Sequence, residues 1–155
     1  MTAALSGLGF GLTSGVLTTL GLMVGLNAGT SSRAAVAAGI ATIAVADAFS
    51  DALGVRVSHE AVGAGRQPAF IAAAATFLAK MLFALSFLVP VLLFELDVAV
   101  WLSVGWGLGL IFAFNWSVAR RRGGRAWLSG LENAVTALAV LAASQAAGSI
   151  VGRWT

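Results

Sequence analysis

The sequence predicts an all-α integral membrane protein of five transmembrane helices, and three observations carry that prediction. Hydrophobic residues make up 59% of the 155-residue chain and charged residues only 10%. A soluble domain carries about 25% charged residues, so this chain has too few to coat a globule, and it is far too apolar to be disordered. Apolar runs long enough to cross a bilayer, which needs about 20 residues, follow one another from end to end. The stretches between them are short and hold most of the arginines. Backbone polar groups in lipid must be satisfied internally, so runs of this length read as helices. The prediction is a single transmembrane domain over residues 1–155, with no soluble domain or linker.

The elements follow in order. Residues 1–32 carry no charge, which gives a first helix over roughly 5–27 and a turn at Gly29 to Ser32. A signal peptide is the competing reading, but the basic leader is missing and the uncharged run is too long. The second helix, roughly 34–55, carries Asp47 and Asp51. A polar loop is predicted from Arg56 to Gln67, with His59 and Glu60 in it. Pro68 suits the first turn of a third helix, roughly 68–94, which holds Lys80 near its middle and Pro90 toward its end. Glu95 to Asp97 reads as an acidic turn. A fourth helix covers roughly 98–118, a basic loop runs from Arg120 to Arg125, and a fifth helix covers roughly 126–151.

With the N-terminus in the cytoplasm, cytoplasmic loops would hold six Lys/Arg and the opposite side two, which favours N-terminus in and C-terminus out. Trp101, Trp116, Trp127 and Trp154 fall near span ends, where indoles sit at headgroups; Trp106 does not. The net charge of +3 lies in these short loops and argues for orientation rather than for nucleic acid. There is no cysteine and only one histidine, so a zinc site of the usual kind is excluded. No nucleophile, base and oxyanion site can be assembled, so an enzyme is not expected, nor is a bound cofactor.

Four features stand out. Gly7, Gly11 and Gly15 are spaced by four, as are Gly21, Gly25 and Gly29, and all six fall within about a third of the helix circumference. Such a face lets membrane helices approach closely, either inside one subunit or as a homodimer seam through helix 1. Ser14 and Thr18 lie on the same stripe and could line a permeation path. Asp47 and Asp51, four apart, share one face of helix 2. Each carboxylate in a membrane costs about 2.5–3.5 kcal/mol on insertion scales, so the pair asks for a reason. A divalent cation held by oxygen ligands is one, a proton relay another, and a structural pair with Lys80 a third. Lys80 has no short route to either interface, so it needs a partner or must be neutral, and on a translocation path it would be a built-in counter-ion displaced when metal binds. Glu132, about two turns into helix 5, reads as a partner of the arginine loop or as a further cation or proton carrier. Met23 and Met81 read as packing residues.

With these residues in view, the chain resembles the vacuolar iron transporter family. The stretch GLTSGVLTTLGLMVG (Gly11 to Gly25) is similar to that family's first helix. AGIATIAVADAFSDALGVRVS (Ala38 to Ser58) is similar to its second, and TFLAKMLFALSFLVP (Thr76 to Pro90) to its third. GRAWLSGLE (Gly124 to Glu132), with the small-residue helix after it, is similar to its last. The resemblance is co-linear over nearly the whole chain. It implies a five-helix protomer, a homodimer built around the first helices, and export of Fe²⁺ or Mn²⁺ from the cytoplasm, often against protons. By the same resemblance Asp47 matches the acidic position of the second helix and is an expected metal residue, with Asp51 an additional carboxylate. Ser14 stands at the family's first-helix aspartate, Ile43 at a position that often holds Met, and Lys80 where a small or apolar residue is usual. The short loop after helix 2 places the chain with the nodulin-like branch, which lacks the cytoplasmic metal-binding insert. The absence of that insert and of a targeting segment points to a prokaryotic inner membrane. The alternative is a membrane subunit that keeps the fold without transport, its Asp/Lys cluster serving as a structural salt bridge.

Overall fold

The computed structural model describes residues 2–122 and 126–154, and side chains throughout except at 121–122 and 126–131. The described residues are helical, without a strand: α1 (Ala3–Thr30), α2 (Arg33–Ala61), α3 (Arg66–Ser86), α4 (Leu88–Leu93), α5 (Leu96–Arg122) and α6 (Ala126–Val151). Five helices are long and apolar enough to cross a membrane, with α3 and α4 together forming one of them. Arg125 and its two preceding glycines, the centre of the predicted basic loop, lie outside the described residues, as do the side chains of Arg121, Arg122 and Trp127.

The ends of the helices differ from the sequence reading, each for a local reason. α1 runs on to Thr30 and stops where Ser31 adopts a left-handed backbone (φ 48°). Ser32 then caps α2, its hydroxyl oxygen accepting from the Ala35 N–H at 3.3 Å. α2 does not end before Arg56 but continues to Ala61, so His59 and Glu60 are helical and the true connection is four residues, 62–65. Arg56 and Glu60 form an i,i+4 ion pair at 3.0 Å across the last turns. Two glycines at positive φ, Gly63 (73°) and Gly65 (81°), then reverse the chain into α3. The third span is interrupted at Phe87, whose N–H turns back to the Ala84 carbonyl at 3.2 Å. Pro90, which has no N–H to offer the Ser86 carbonyl, accounts for the break. Leu96 and Asp97 belong to the first turn of α5 rather than to a turn between helices.

The chain divides into two compact units. The first comprises residues 1–19 and 40–88. Here the start of α1 lies along α3, with Gly7 over Ala72, Gly11 over Thr76 and Gly15 over Lys80. A Cβ on Gly11 would come within 2.5 Å of the Thr76 carbonyl oxygen, so only glycine permits the approach. Thr76 uses it, its buried hydroxyl donating to the carbonyls of Gly7 (3.1 Å) and Ala72 (2.9 Å). Leu12, Val16, Ala44, Ala48 and Phe87 fill the rest of this core. Phe49, Leu53, Leu78 and Leu82 point outward and are largely exposed, the composition a lipid-facing surface requires.

The second unit comprises residues 20–39 and 89–155. The remaining glycines of α1 pack on α6: Gly21 and Gly25 against Ser144, and Gly29 against Gly148. A Cβ on Gly148 would fall 2.0 Å from the Gly25 carbonyl oxygen, so only glycine fits there. Met23 is wholly buried, as a packing residue should be. α5 packs on α6. At the α1–α2 turn Arg33 donates to the Phe94 carbonyl (2.5 Å) and Asn27 to Asp97 (3.4 Å). Trp101, Trp106 and Trp154 are exposed, and Arg120 lies over the Trp116 ring at 5.4 Å.

All six glycines of the α1 stripe are therefore engaged within the chain, three in each unit. That is the intrasubunit reading of the pattern.

Candidate functional site

The site lies entirely in the first unit and is built from one residue of α1, two of α2 and one of α3. Lys80 is its centre, only 1% exposed. Its stem can be buried because Gly15 faces it: a Cβ there would meet Lys80 Cγ at 3.1 Å. An ammonium has three hydrogens. One goes to Ser14 Oγ at 2.8 Å and one to Asp51 Oδ2. Asp47 Oδ2 stands 2.6 Å from the same nitrogen, within ion-pair reach. The ammonium therefore faces one oxygen of each carboxylate. Ser14 links the cluster: its hydroxyl accepts from Lys80 and donates to Asp51 Oδ2 at 2.7 Å.

The i,i+4 spacing of Asp47 and Asp51 thus does what the sequence suggested and brings both carboxylates to one point, with Lys80 between them. The two acids are not sealed in; their side chains are 27% and 20% exposed. The cluster as a whole carries a charge of −1. Among the described residues there is no group of three or more His, Cys, Asp or Glu placed to hold a metal ion. The carboxylate oxygens that a cation would use are those that Lys80 now holds.

The other predicted residues fall elsewhere. Thr18 lies one turn beyond Ser14, half-buried, and its hydroxyl donates to the Ser14 carbonyl at 2.9 Å. Glu132 belongs to the second unit, where it is exposed and its backbone carbonyl accepts from Thr136 at 2.9 Å.

Two features of the site escaped the sequence reading. Gly15 was visible as part of a glycine stripe, but nothing in the spacing said that it makes room for a lysine. His59 was placed in a solvated loop. It is instead a half-buried residue of the last turn of α2, with Nδ1 3.0 Å from the Val55 carbonyl oxygen and Nε2 3.4 Å from Ser6 Oγ of α1. Nδ1 faces an acceptor and so carries a hydrogen. His59 and Asp51, eight residues apart, sit on the same side of α2 and line a groove of about 580 Å³ between α2 and the start of α1.

Set against known proteins, the chain matches no protein-family model, no curated protein and no solved structure.

Proposed function

We propose that this chain is an integral membrane transporter that carries divalent metal cations out of the cytoplasm, Fe²⁺ or Mn²⁺ being its substrates and protons the exchanged ion. One observation carries the reading: a buried lysine occupies two carboxylates in the middle of helices apolar enough to span a bilayer. A lysine there is a tethered cation. It and a mobile cation compete for the same oxygens of Asp47 and Asp51; the lysine balances one of the two negative charges, a divalent ion both. A divalent ion gains twice the Coulomb energy per carboxylate that an ammonium gains, which is what lets it displace the lysine. The choice of Fe²⁺ or Mn²⁺, the proton exchange and a homodimeric assembly come from the sequence resemblance to the vacuolar iron transporter family. A cytoplasmic N-terminus comes from the arginine count, and a prokaryotic inner membrane from the short loops.

A second reading has an observation of its own. The carboxylates already have a cation on them, and among the described residues no third acid joins them in a group that could hold a metal ion. On that reading the chain is a non-transporting membrane subunit and the cluster a structural salt bridge. The deciding experiment is Mn²⁺ and Fe²⁺ flux in proteoliposomes, with and without a pH gradient, for wild type and Asp51→Asn. Flux that responds to the gradient and is lost in the variant is expected. A well-folded wild-type protein that carries neither metal would leave the salt bridge.

A further inference from the structure

The groove between α1 and α2 has a role that the cluster alone does not explain. On α2 it is lined by Ser50, Asp51, Gly54, Val55, Ser58 and His59, facing Ser6 and Phe10 of α1, and it extends over ten residues, a rise of about 13 Å along the helix. Its inner part is at Asp51, which belongs to the Lys80 cluster. Its outer part is at the last turn of α2, where His59 reaches Ser6 of α1. The opposite face of α2 carries Phe49 and Leu53, both exposed and apolar. One helix therefore presents a lipid face and, half a turn away, a polar channel wall.

Some exposed helical hydroxyls in this chain close on their own backbone, as Ser117 donates to Ala113, Thr136 to Glu132 and Ser149 to Ala146, at 2.8–3.0 Å, while that of Thr42 on α2 does not. Among the described residues neither the Ser50 nor the Ser58 hydroxyl makes a hydrogen bond, although both residues line the groove. An unsatisfied hydroxyl in hydrocarbon costs several kcal/mol, whereas in water it costs nothing. Gly54 stands between them, and a Cβ added there would meet nothing within 4 Å. The lane is open as well as polar, and it ends at a carboxylate that is 20% exposed.

We infer that this groove is the water-filled entrance by which cations reach Asp51 and Lys80 from the end of the chain where α1 begins and α2 ends. What passes through it rests on the transport reading; that it is wet does not. Because the sequence has no cysteine, single cysteines introduced at Ser50, Gly54 and Ser58 would each be the sole thiol. They are to be reacted in proteoliposomes with a cationic, membrane-impermeant methanethiosulfonate and read by intact mass, with Phe49→Cys and Leu53→Cys as lipid-face controls. The groove positions are expected to react at least tenfold faster than the controls, and faster with the cationic reagent than with an anionic one. Rates at Gly54→Cys and Ser50→Cys no higher than at Leu53→Cys would overturn the inference. Gly54→Cys has open space around it and Ser58 is exposed, so folding, checked by gel filtration in detergent, does not obscure the result. Gly54→Leu is expected to fold and to lower Mn²⁺ flux at least tenfold; unchanged flux would also overturn it. Fast labelling in a wild-type background that carries no Mn²⁺ would uphold the entrance and remove the transporter.

Discussion

Replacing Lys80 by methionine keeps the length of the stem and removes the charge. The two Oδ2 atoms of Asp47 and Asp51 both lie on the Lys80 nitrogen, so they are at most about 5 Å apart. Two unit charges at about 5 Å repel by about 3 kcal/mol at an effective dielectric of about 20. The carboxylates are 27% and 20% exposed, and water screens part of this, leaving about 2 kcal/mol. For a chain of this size that is a fall in Tm of about 4–8 °C. A cation that takes the vacated place gives the loss back: at one hundred times its Kd, Mn²⁺ would restore about 2.7 kcal/mol. The assay is thermal unfolding in detergent followed by tryptophan fluorescence, with and without Mn²⁺, for wild type, Lys80→Met and the triple variant Asp47→Asn, Asp51→Asn, Lys80→Met. Lys80→Met should be destabilised and respond to Mn²⁺ more than wild type does. The triple variant, which has no charge left to neutralise, should lie within about 1 kcal/mol of wild type and not respond. If Lys80→Met melts with wild type, or if Mn²⁺ shifts both proteins equally, the lysine is not the competitor of a metal and the reasoning fails.

Two further predictions concern the helix contacts. Gly11→Ala sets a methyl against the Thr76 backbone and should cost about 1–3 kcal/mol, while Gly105→Ala, with nothing within 4 Å, should be neutral or stabilise by up to about 1 kcal/mol. Their melting temperatures should therefore move in opposite directions or by clearly different amounts. Thr76→Val keeps the volume and deletes the hydroxyl that reaches the Gly7 carbonyl, for a loss of about 0.6–1.7 kcal/mol in the same assay.

Much of this architecture was legible because long apolar helices follow from composition. Five apolar runs could be counted, and charges set within such runs need partners, which brings Asp47, Asp51 and Lys80 together before any coordinates are known. The glycine stripe told less. A small-residue face says that something comes close, not what: Gly7, Gly11 and Gly15 meet α3, while Gly21, Gly25 and Gly29 meet α6. Nothing in a spacing of four separates those two partners from each other or from a second copy. The ends of helices were the weakest point. Arg56 to Glu60 is polar, and polarity alone does not distinguish a loop from a final helical turn beyond the apolar run. The i,i+4 pairing of Arg56 with Glu60 was the available signal. His59, read as a loop residue, thereby escaped notice as a wall of the groove.

Ser14 is where this cluster can be tested in the constructive direction. Its hydroxyl sits 2.8 Å from Lys80 Nζ and 2.7 Å from Asp51 Oδ2. As serine it is neutral, and it both accepts from the lysine and donates to the acid, which ties the ion pair shut. Ser14→Asp removes that donor and adds a third carboxylate, taking the cluster from −1 to −2. The added charge attracts Lys80 as well as a metal, but the divalent ion gains twice as much from it, so the competition moves toward the metal. Calorimetric titration with Mn²⁺ should show affinity raised at least tenfold, about 1.4 kcal/mol, in Ser14→Asp over wild type. Ser14→Ala, which removes the bridge without adding charge, should fall well short of that gain. A folded Ser14→Asp protein that binds Mn²⁺ no better than wild type would mean that Lys80 does not yield its place, and that the buried pair belongs to the packing of α1, α2 and α3 rather than to a pathway through them.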